Sequence, residues 1–348
     1  MSSENTEPIP VPPPATDVPA STIEPTPAAT TAAVVSELEP TPAASAPEPT
    51  PASVAEATAK SEEPTPAEPS VVAVEDKKED DEPQNELTKK FTEDEWKAVK
   101  ELRTQLPSIF EKACPDTKPV PSSITIWGVE LSTTPSAKAS VILVKFLRAR
   151  TLAVSDAADM LAATLKWRAE MDIDAIMQEK FDQDLFGRLG KVYGKDKDGR
   201  PIAWNLYGEV KDMKAVFGDT QKFIRWRVQF MEQSIEFLDF ETIDQMVQIH
   251  DYEGVSMTSR DAAQKAAAKE ATTVFQNYYP EFLSRKFFIN VPTLLTWVFW
   301  LFKPLISAAT LAKMAVVGTG AKTIGAELSL VIDVKELPKR YGGEADDF

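Results

Sequence analysis

The stretch QIHDYEG, residues 248–254, puts the only histidine of a 348-residue chain two places before a tyrosine. On an extended chain, side chains two apart share a face, with Cβ atoms about 6.5–7 Å apart. Met246, Gln248, His250 and Tyr252 then lie on one face, and Val247, Ile249 and Asp251 on the other. A strand buried in a helix-covered sheet reads as nearly continuous apolar sequence. Gln, His and Tyr along one face therefore point to a cavity that holds something polar. Three chemistries fit such a pair. The imidazole can be a core group bonded to a neighbour. It can be a catalytic base, which needs a nucleophile or an orienting carboxylate, and the adjacent Asp251 points the other way. Or the pair can serve a metal-centred cofactor, since imidazole and tyrosinate both ligate iron.

The elements that must carry this pair follow from periodicity. TEDEWKAVKELRTQL predicts a first helix, with Thr92 and Glu95 forming a capping box and Trp96, Val99, Leu102 and Leu106 making one stripe. Residues 135–150 predict a second helix. Residues 155–171 predict a third, with Ser155 as cap and Ala158, Leu161, Leu165 and Arg168 on one side. Residues 91–185 read as a helical lobe. Beyond it, LGKVYGKDKDGRPIAWNLYGEV reads as a hairpin with Gly199 available for positive φ. QKFIRWRVQFMEQSIEFLDF is a long amphipathic helix, IDQMVQIHDYEG a strand, and RDAAQKAAAKEATTVFQNYYPE a helix stopped at Pro280. RKFFINVP is another strand, followed by a very apolar helix over 293–302, with 310–318 and 327–338 closing the chain. This alternation predicts an α/β domain over 186–348, its sheet largely parallel and covered by helices.

Residues 1–90 differ in kind. They repeat EPTPA-like units and contain no aromatic residue, which predicts a disordered tail. They hold 18 acidic and 5 basic residues, so −13 of the chain's −16 net charge lies there. A nearly neutral folded part argues against nucleic acid as partner and is compatible with reversible membrane contact. The single cysteine, Cys114, excludes a disulfide framework and a cysteine-based metal site. MSSENTEPIP has no secretory pattern, so a reducing, cytosolic setting is expected. FFINVPTLLTWVFWLFKPL, 287–305, is broken by Asn290, Pro292 and Lys303–Pro304, too short an apolar run for the about 20 residues a bilayer span needs.

Four stretches in order, VKFLRARTLAVSDAADMLAATLKWR, DGRPI, QNYYPEFLSRKFFINVPTLLTWVFWLFKPLI and LPKRYGG, resemble CRAL-TRIO lipid-binding proteins over about 91–348. Within that family the chain looks most like the fungal atypical phosphatidylinositol transfer proteins of a branch associated with haem b. The resemblance implies a helical tripod lobe packed on an α/β domain. The sheet would floor a lipid cavity closed by a mobile gate helix bearing Leu294, Trp297, Val298, Trp300, Leu301 and Phe302. The nearly all-round apolar character of that helix independently suits a gate. The resemblance places the inositol phosphate at Arg150, Glu281, Thr310 and Lys313. Thr151 replaces a base common in phosphoinositide binders. It also implies Tyr252 as axial ligand of a ferric haem with His250 beside it, and Arg225 and Lys286 as further haem contacts.

The function implied is exchange of phosphatidylinositol between membranes in support of phosphoinositide homeostasis, with haem b able to occupy the cavity. The protein would be cytoplasmic and peripherally associated with the endoplasmic reticulum or microsomal membrane, and not an enzyme; a homodimer stays open. Two alternatives remain: a peroxidase- or catalase-like haem enzyme with His250 as distal base, and a lipid-only carrier in which His250 and Tyr252 are structural.

Overall fold

The computed structural model describes residues 82–210, 212–255, 262–291 and 312–348. Structured residues occur before the expected boundary at 91. Asn85 Oδ1 accepts from the backbone N–H groups of Leu87 and Thr88, its Nδ2 donates to Phe240 O at 2.9 Å, and Thr88 is buried. A short polar turn whose donors are satisfied locally can dock without apolar periodicity.

The lobe comprises α1 (Glu93–Thr104), α2 (Leu106–Ala113), β1 (Ser123–Ile126), β2 (Val129–Ser132), α3 (Ala137–Arg148), α4 (Val154–Met171) and α5 (Ile173–Gln178). Thr92 and Glu95 close the expected capping box. Helix α4 differs: it starts at Val154 without a side-chain cap, and the Ser155 hydroxyl turns to Asp156 instead. The lobe is also not purely helical. β1 and β2 pair antiparallel across Trp127–Gly128, both at positive φ, as a tight hairpin turn requires. In α3 every residue from Ala139 to Leu147 is buried, Lys145 included, because this helix runs through the lobe interior.

The second part contains β3 (Gly190–Lys195), β4 (Pro201–Leu206), α6 (Met213–Phe217), α7 (Thr220–Ile235), β5 (Met246–Asp251), α8 (Ala262–Tyr278), β6 (Leu283–Ile289), β7 (Met314–Val316) and α9 (Ala321–Leu328). The strands lie in chain order in one five-stranded sheet. β3 and β4 form the antiparallel hairpin, with Gly199 at φ +84°, and the remaining pairs are parallel. This is the mixed α/β architecture that alternating strands and helices demand.

Register makes the two faces chemically different. Ile202, Trp204, Leu206, Val247, Ile249, Phe287 and Ile289 form an apolar back face, packed against α9 and Ile332, Leu337 and Tyr341. LPKRYGG works as a latch on this back face: Tyr341 stacks on Trp204 at 4.8 Å and donates to Asp251 Oδ2 at 2.6 Å. The front face aligns Ala203, Gln248, Lys286 and Met314 in one row, and Asn205, His250, Phe288 and Val316 in the next. Among the described residues no helix is long and apolar enough to cross a membrane.

Candidate functional site

The front face carries the polar residues. His250 is 1% exposed, and among the described residues neither Nδ1 nor Nε2 has a hydrogen-bond partner. Burial, then the charges of Lys286 and Arg227, hold its pKa well below the ordinary imidazole value, so the ring is neutral. A neutral imidazole offers one donor and one acceptor, and leaving both unmade in the interior is costly. The core-histidine reading would require a bonded neighbour, and the described residues supply none. Asp251, the nearest carboxylate in sequence, is spent on the back face: Oδ1 accepts from Asn290 at 2.7 Å and Oδ2 from Tyr341.

Tyr252 leaves the strand just after Asp251, yet its N–H still donates to Ile289 O at 3.1 Å. Its ring therefore stays on the His250 side, 6.4 Å from Phe288 and 5.4 Å from Tyr207. Tyr207 and Phe288 also flank His250, at 5.7 and 5.5 Å. The aromatic box so formed depends on Gly208: a Cβ there would lie 1.5 Å from Glu253 O, so only glycine lets the Tyr207 turn approach the chain leaving β5.

Around the box are cations. Lys286 lies one register step from His250 on β6, with its ammonium 5.1 Å from the Phe288 ring centroid. Arg225 has a different setting from the one expected. Its Nε donates to Glu179 Oε2 at 2.7 Å and its Nη1 to Met171 O at 3.3 Å, at the seam with the lobe. The guanidinium near His250 belongs to Arg227, which donates to Asn205 Oδ1. Residues two apart on a helix point about 200° from one another, so Arg225 and Arg227 serve opposite sides of α7. Arg227, Asn205, Tyr207 and Gly208 were not singled out from sequence. The only signal for Arg227 was a second arginine in IRWRV, and choosing between the two needs the helix's rotation.

The residues tied to the inositol phosphate are partly assembled. Lys313 Nζ lies 3.0 Å from Glu281 Oε2, and Glu281 takes positive φ, +54°. The turn is anchored from beneath by Lys145, whose ammonium donates to Glu281 O at 3.0 Å and to Asp244 Oδ2 at 2.8 Å. Burial pushes the Lys145 pKa down while Asp244 pulls it up. Arg150 stands apart from the pair in its contacts, donating among the described residues only to Ala149 O at 3.0 Å. Thr310 and the gate residues Leu294, Trp297, Val298, Trp300, Leu301 and Phe302 lie outside the described residues.

Among the described residues no three His, Cys, Asp or Glu side chains group as metal ligands. The donors on this face, a phenol, an unpartnered imidazole and nearby cations, suit a group that brings its own metal ligands and negative charge. A haem fits that description.

Known proteins resemble this chain over the same region. The CRAL/TRIO domain matches residues 186–343, and the CRAL/TRIO N-terminal domain matches 98–163. A Cryptococcus neoformans protein named phosphatidylinositol transfer protein SFH5 is 37% identical over 267 residues, covering 71% of this chain and 86% of that one. A protein of the same name from Sclerotinia sclerotiorum is 37% identical over 256 residues, covering 69% of this chain and 61% of that one. The crystal structure of Sfh5 superposes with a TM-score of 0.61 at 26% identity, covering 74% of this chain and 89% of that one. This chain belongs to the CRAL/TRIO family.

Proposed function

We propose that this protein binds phosphatidylinositol and carries it between membranes, and that haem b occupies the His250–Tyr252 face with Tyr252 as the iron ligand. The lipid half rests on 37% identity to proteins named for that transfer. The haem half rests on one observation: a buried imidazole with neither nitrogen bonded among the described residues, on a polar face beside a tyrosine. When bound, the haem would supply a ferric centre for the phenol oxygen of Tyr252. The chain's own residues do the rest. Tyr207 and Phe288 wall the site with rings, His250 offers one donor and one acceptor, and Lys286 brings positive charge for the carboxylates. Arg225 would join them only by giving up Glu179.

For the lipid, Lys313 meets a phosphodiester and Glu281 accepts from inositol hydroxyls, with Arg150 and Thr310 completing the set. Lys313 then exchanges a carboxylate for a phosphate and Glu281 exchanges an ammonium for neutral hydroxyl donors, so the pair opens without leaving either group unbonded. The protein works in the cytoplasm as a reversible visitor to the endoplasmic reticulum or microsomal surface.

Absorbance of the freshly purified full chain tests the cofactor. A Soret band is expected, abolished or blue-shifted in Tyr252→Phe while the fold stays intact. No band, even after haem supplementation, would sink the haem reading. Transfer of phosphatidylinositol between vesicles tests the lipid reading, and failure in both haem states would remove it. Peroxide turnover well above that of free haem would instead favour the enzyme.

A further inference from the structure

Lys145 lies in the middle of VILVKFL on α3, where its neighbours in sequence are apolar and the whole stretch is buried. Its side chain is 0% exposed. A methionine or leucine would fill the place without desolvating a charge, and a buried ion pair adds little net stability for the charges it buries. The bonds of the ammonium give the lysine another use. All three of its hydrogens are taken, by Asp244 Oδ2 at 2.8 Å, Asp244 O at 2.6 Å and Glu281 O at 3.0 Å. Two of these acceptors are main-chain carbonyls of the α/β part, so a lobe helix grips the backbone beside it. Glu281 is gripped twice, because Gln245 Nε2 also donates to its carbonyl at 3.2 Å. A left-handed backbone at a residue with a side chain is unfavourable and persists where neighbours impose it. The two donors on the carbonyl hold Glu281 at its φ of +54°.

This grip fixes a spacing. Lys313 is held independently, since its carbonyl accepts from Lys286 N at 2.6 Å. Arg150 follows α3 by two residues, and its N–H donates to Leu147 O at 3.0 Å in the turn that closes the helix. Lys145 is therefore the direct link between the helix that carries Arg150 and the turn that carries Glu281.

We propose that Lys145 is a positioning residue for headgroup selection. By holding the Glu281 carbonyl it sets the Glu281 carboxylate at a distance from Arg150 and Lys313 that fits an inositol ring, favouring a hydroxylated headgroup over a bare phosphate. The inference rests on the proposed reading that these residues meet the inositol phosphate, and adds what makes them selective. A lysine ammonium on a flexible stem meets a phosphate from a range of positions. A hydroxyl needs its acceptor within a few tenths of an ångström, so it is the contact that depends on the grip.

The test measures the apparent affinity of the full chain for phosphatidylcholine vesicles carrying phosphatidylinositol or phosphatidic acid. The second lipid keeps the phosphate and acyl chains without the ring. Lys145→Met keeps the apolar packing and removes all three donors, and Asp244 is 16% exposed, so water can reach its freed oxygens. This variant should bind phosphatidylinositol roughly 10-fold more weakly and phosphatidic acid at the wild-type level. Gln245→Leu removes only the second donor and should give a smaller loss in the same direction, about 2- to 5-fold. Ile109→Ala is the control for stability alone. Ile109 is buried on α2, whose main neighbour is α4, so a cavity there lowers Tm and should leave phosphatidylinositol affinity unchanged.

Equal losses for both lipids would make Lys145 a support of the fold and overturn the proposal. A loss in Ile109→Ala that tracks its fall in Tm would do the same. Unchanged discrimination in Lys145→Met and Gln245→Leu would overturn it while leaving the function reading intact; should Lys145→Met not fold, Gln245→Leu alone decides. Wild type that binds phosphatidylinositol no better than phosphatidic acid would instead remove the reading of Glu281 and Lys313 as inositol contacts, and this inference with it.

Discussion

Replacing Glu232 by leucine removes the acceptor at which four elements meet. Glu232, on α7, receives Arg168 of α4 bidentately, Nη1 to Oε1 at 2.6 Å and Nη2 to Oε2 at 2.9 Å. Tyr279, directly after α8, donates to Oε1 at 2.6 Å, and Trp127 in the β1–β2 turn adds a bond at 3.3 Å. Burial disfavours the Arg168 charge, but its bonds to Glu232 more than offset this and raise its pKa. Burial, with Glu232 beside it, pushes the Tyr279 phenol well up, so it remains a donor.

Glu232→Leu leaves a guanidinium buried without an acid, for which the loss is about 3–5 kcal/mol. For a folded part of this size that lowers Tm by roughly 6–20 °C. The double variant Arg168→Met/Glu232→Leu removes the orphaned charge and should recover about 2 kcal/mol or more of the loss. Full recovery is not expected, because Tyr279 and Trp127 still lack their acceptor. Urea and thermal unfolding of wild type, both singles and the double measure this cycle. A double variant no more stable than Glu232→Leu, or a single loss under about 0.5 kcal/mol, would refute the reasoning, since the charge would then not be what holds the joint.

Tyr341→Phe should lower stability by about 1–3 kcal/mol in urea unfolding, because Asp251 Oδ2 loses its 2.6 Å donor in a buried setting. Gly208→Ala should displace the Glu253 carbonyl it would strike, lowering Tm and changing the absorbance of any haem complex through Tyr252. An unchanged Tm would show that this approach is loose. Asp239 carries a pH prediction. Burial works against its charge, but bonds from Ile243, Thr242 and Glu241 prevail and bring its pKa from 3.8 to about 2. The folded-state value is the lower one, so its stabilisation is present above pH 3.8 and is lost as pH falls through about 2. The stability gap between wild type and Asp239→Ala, measured by urea midpoint at several pH values, should close across that window.

Local signals located most elements. Capping at Thr92, the Gly199 hairpin and the alternation of strands with helices each depend on residues near in sequence, so they were legible without a structure. The lobe hairpin was missed although Ile124, Ile126, Val129 and Leu131 alternate around Trp127–Gly128. Two four-residue strands inside a helical stretch give little periodicity to weigh. Ser155 looked like a cap by residue type, but helix ends shift by a residue or two with packing.

For the site, the sequence alone put His250 on one strand face with Tyr252 and set Asp251 on the other, because side-chain alternation along a strand needs no tertiary information. The resemblance to the family, not the alternation, singled out Lys286, Glu281 and Lys313. Only the tertiary structure decided which charges those residues meet. That Glu281 pairs with Lys313, that Arg225 answers Glu179 while Arg227 lies near His250, and that His250 has no hydrogen-bond partner among the described residues all depend on helix rotation and sheet register. Those are set by the packing of the whole core, in which residues far apart in the chain fix one another's orientation.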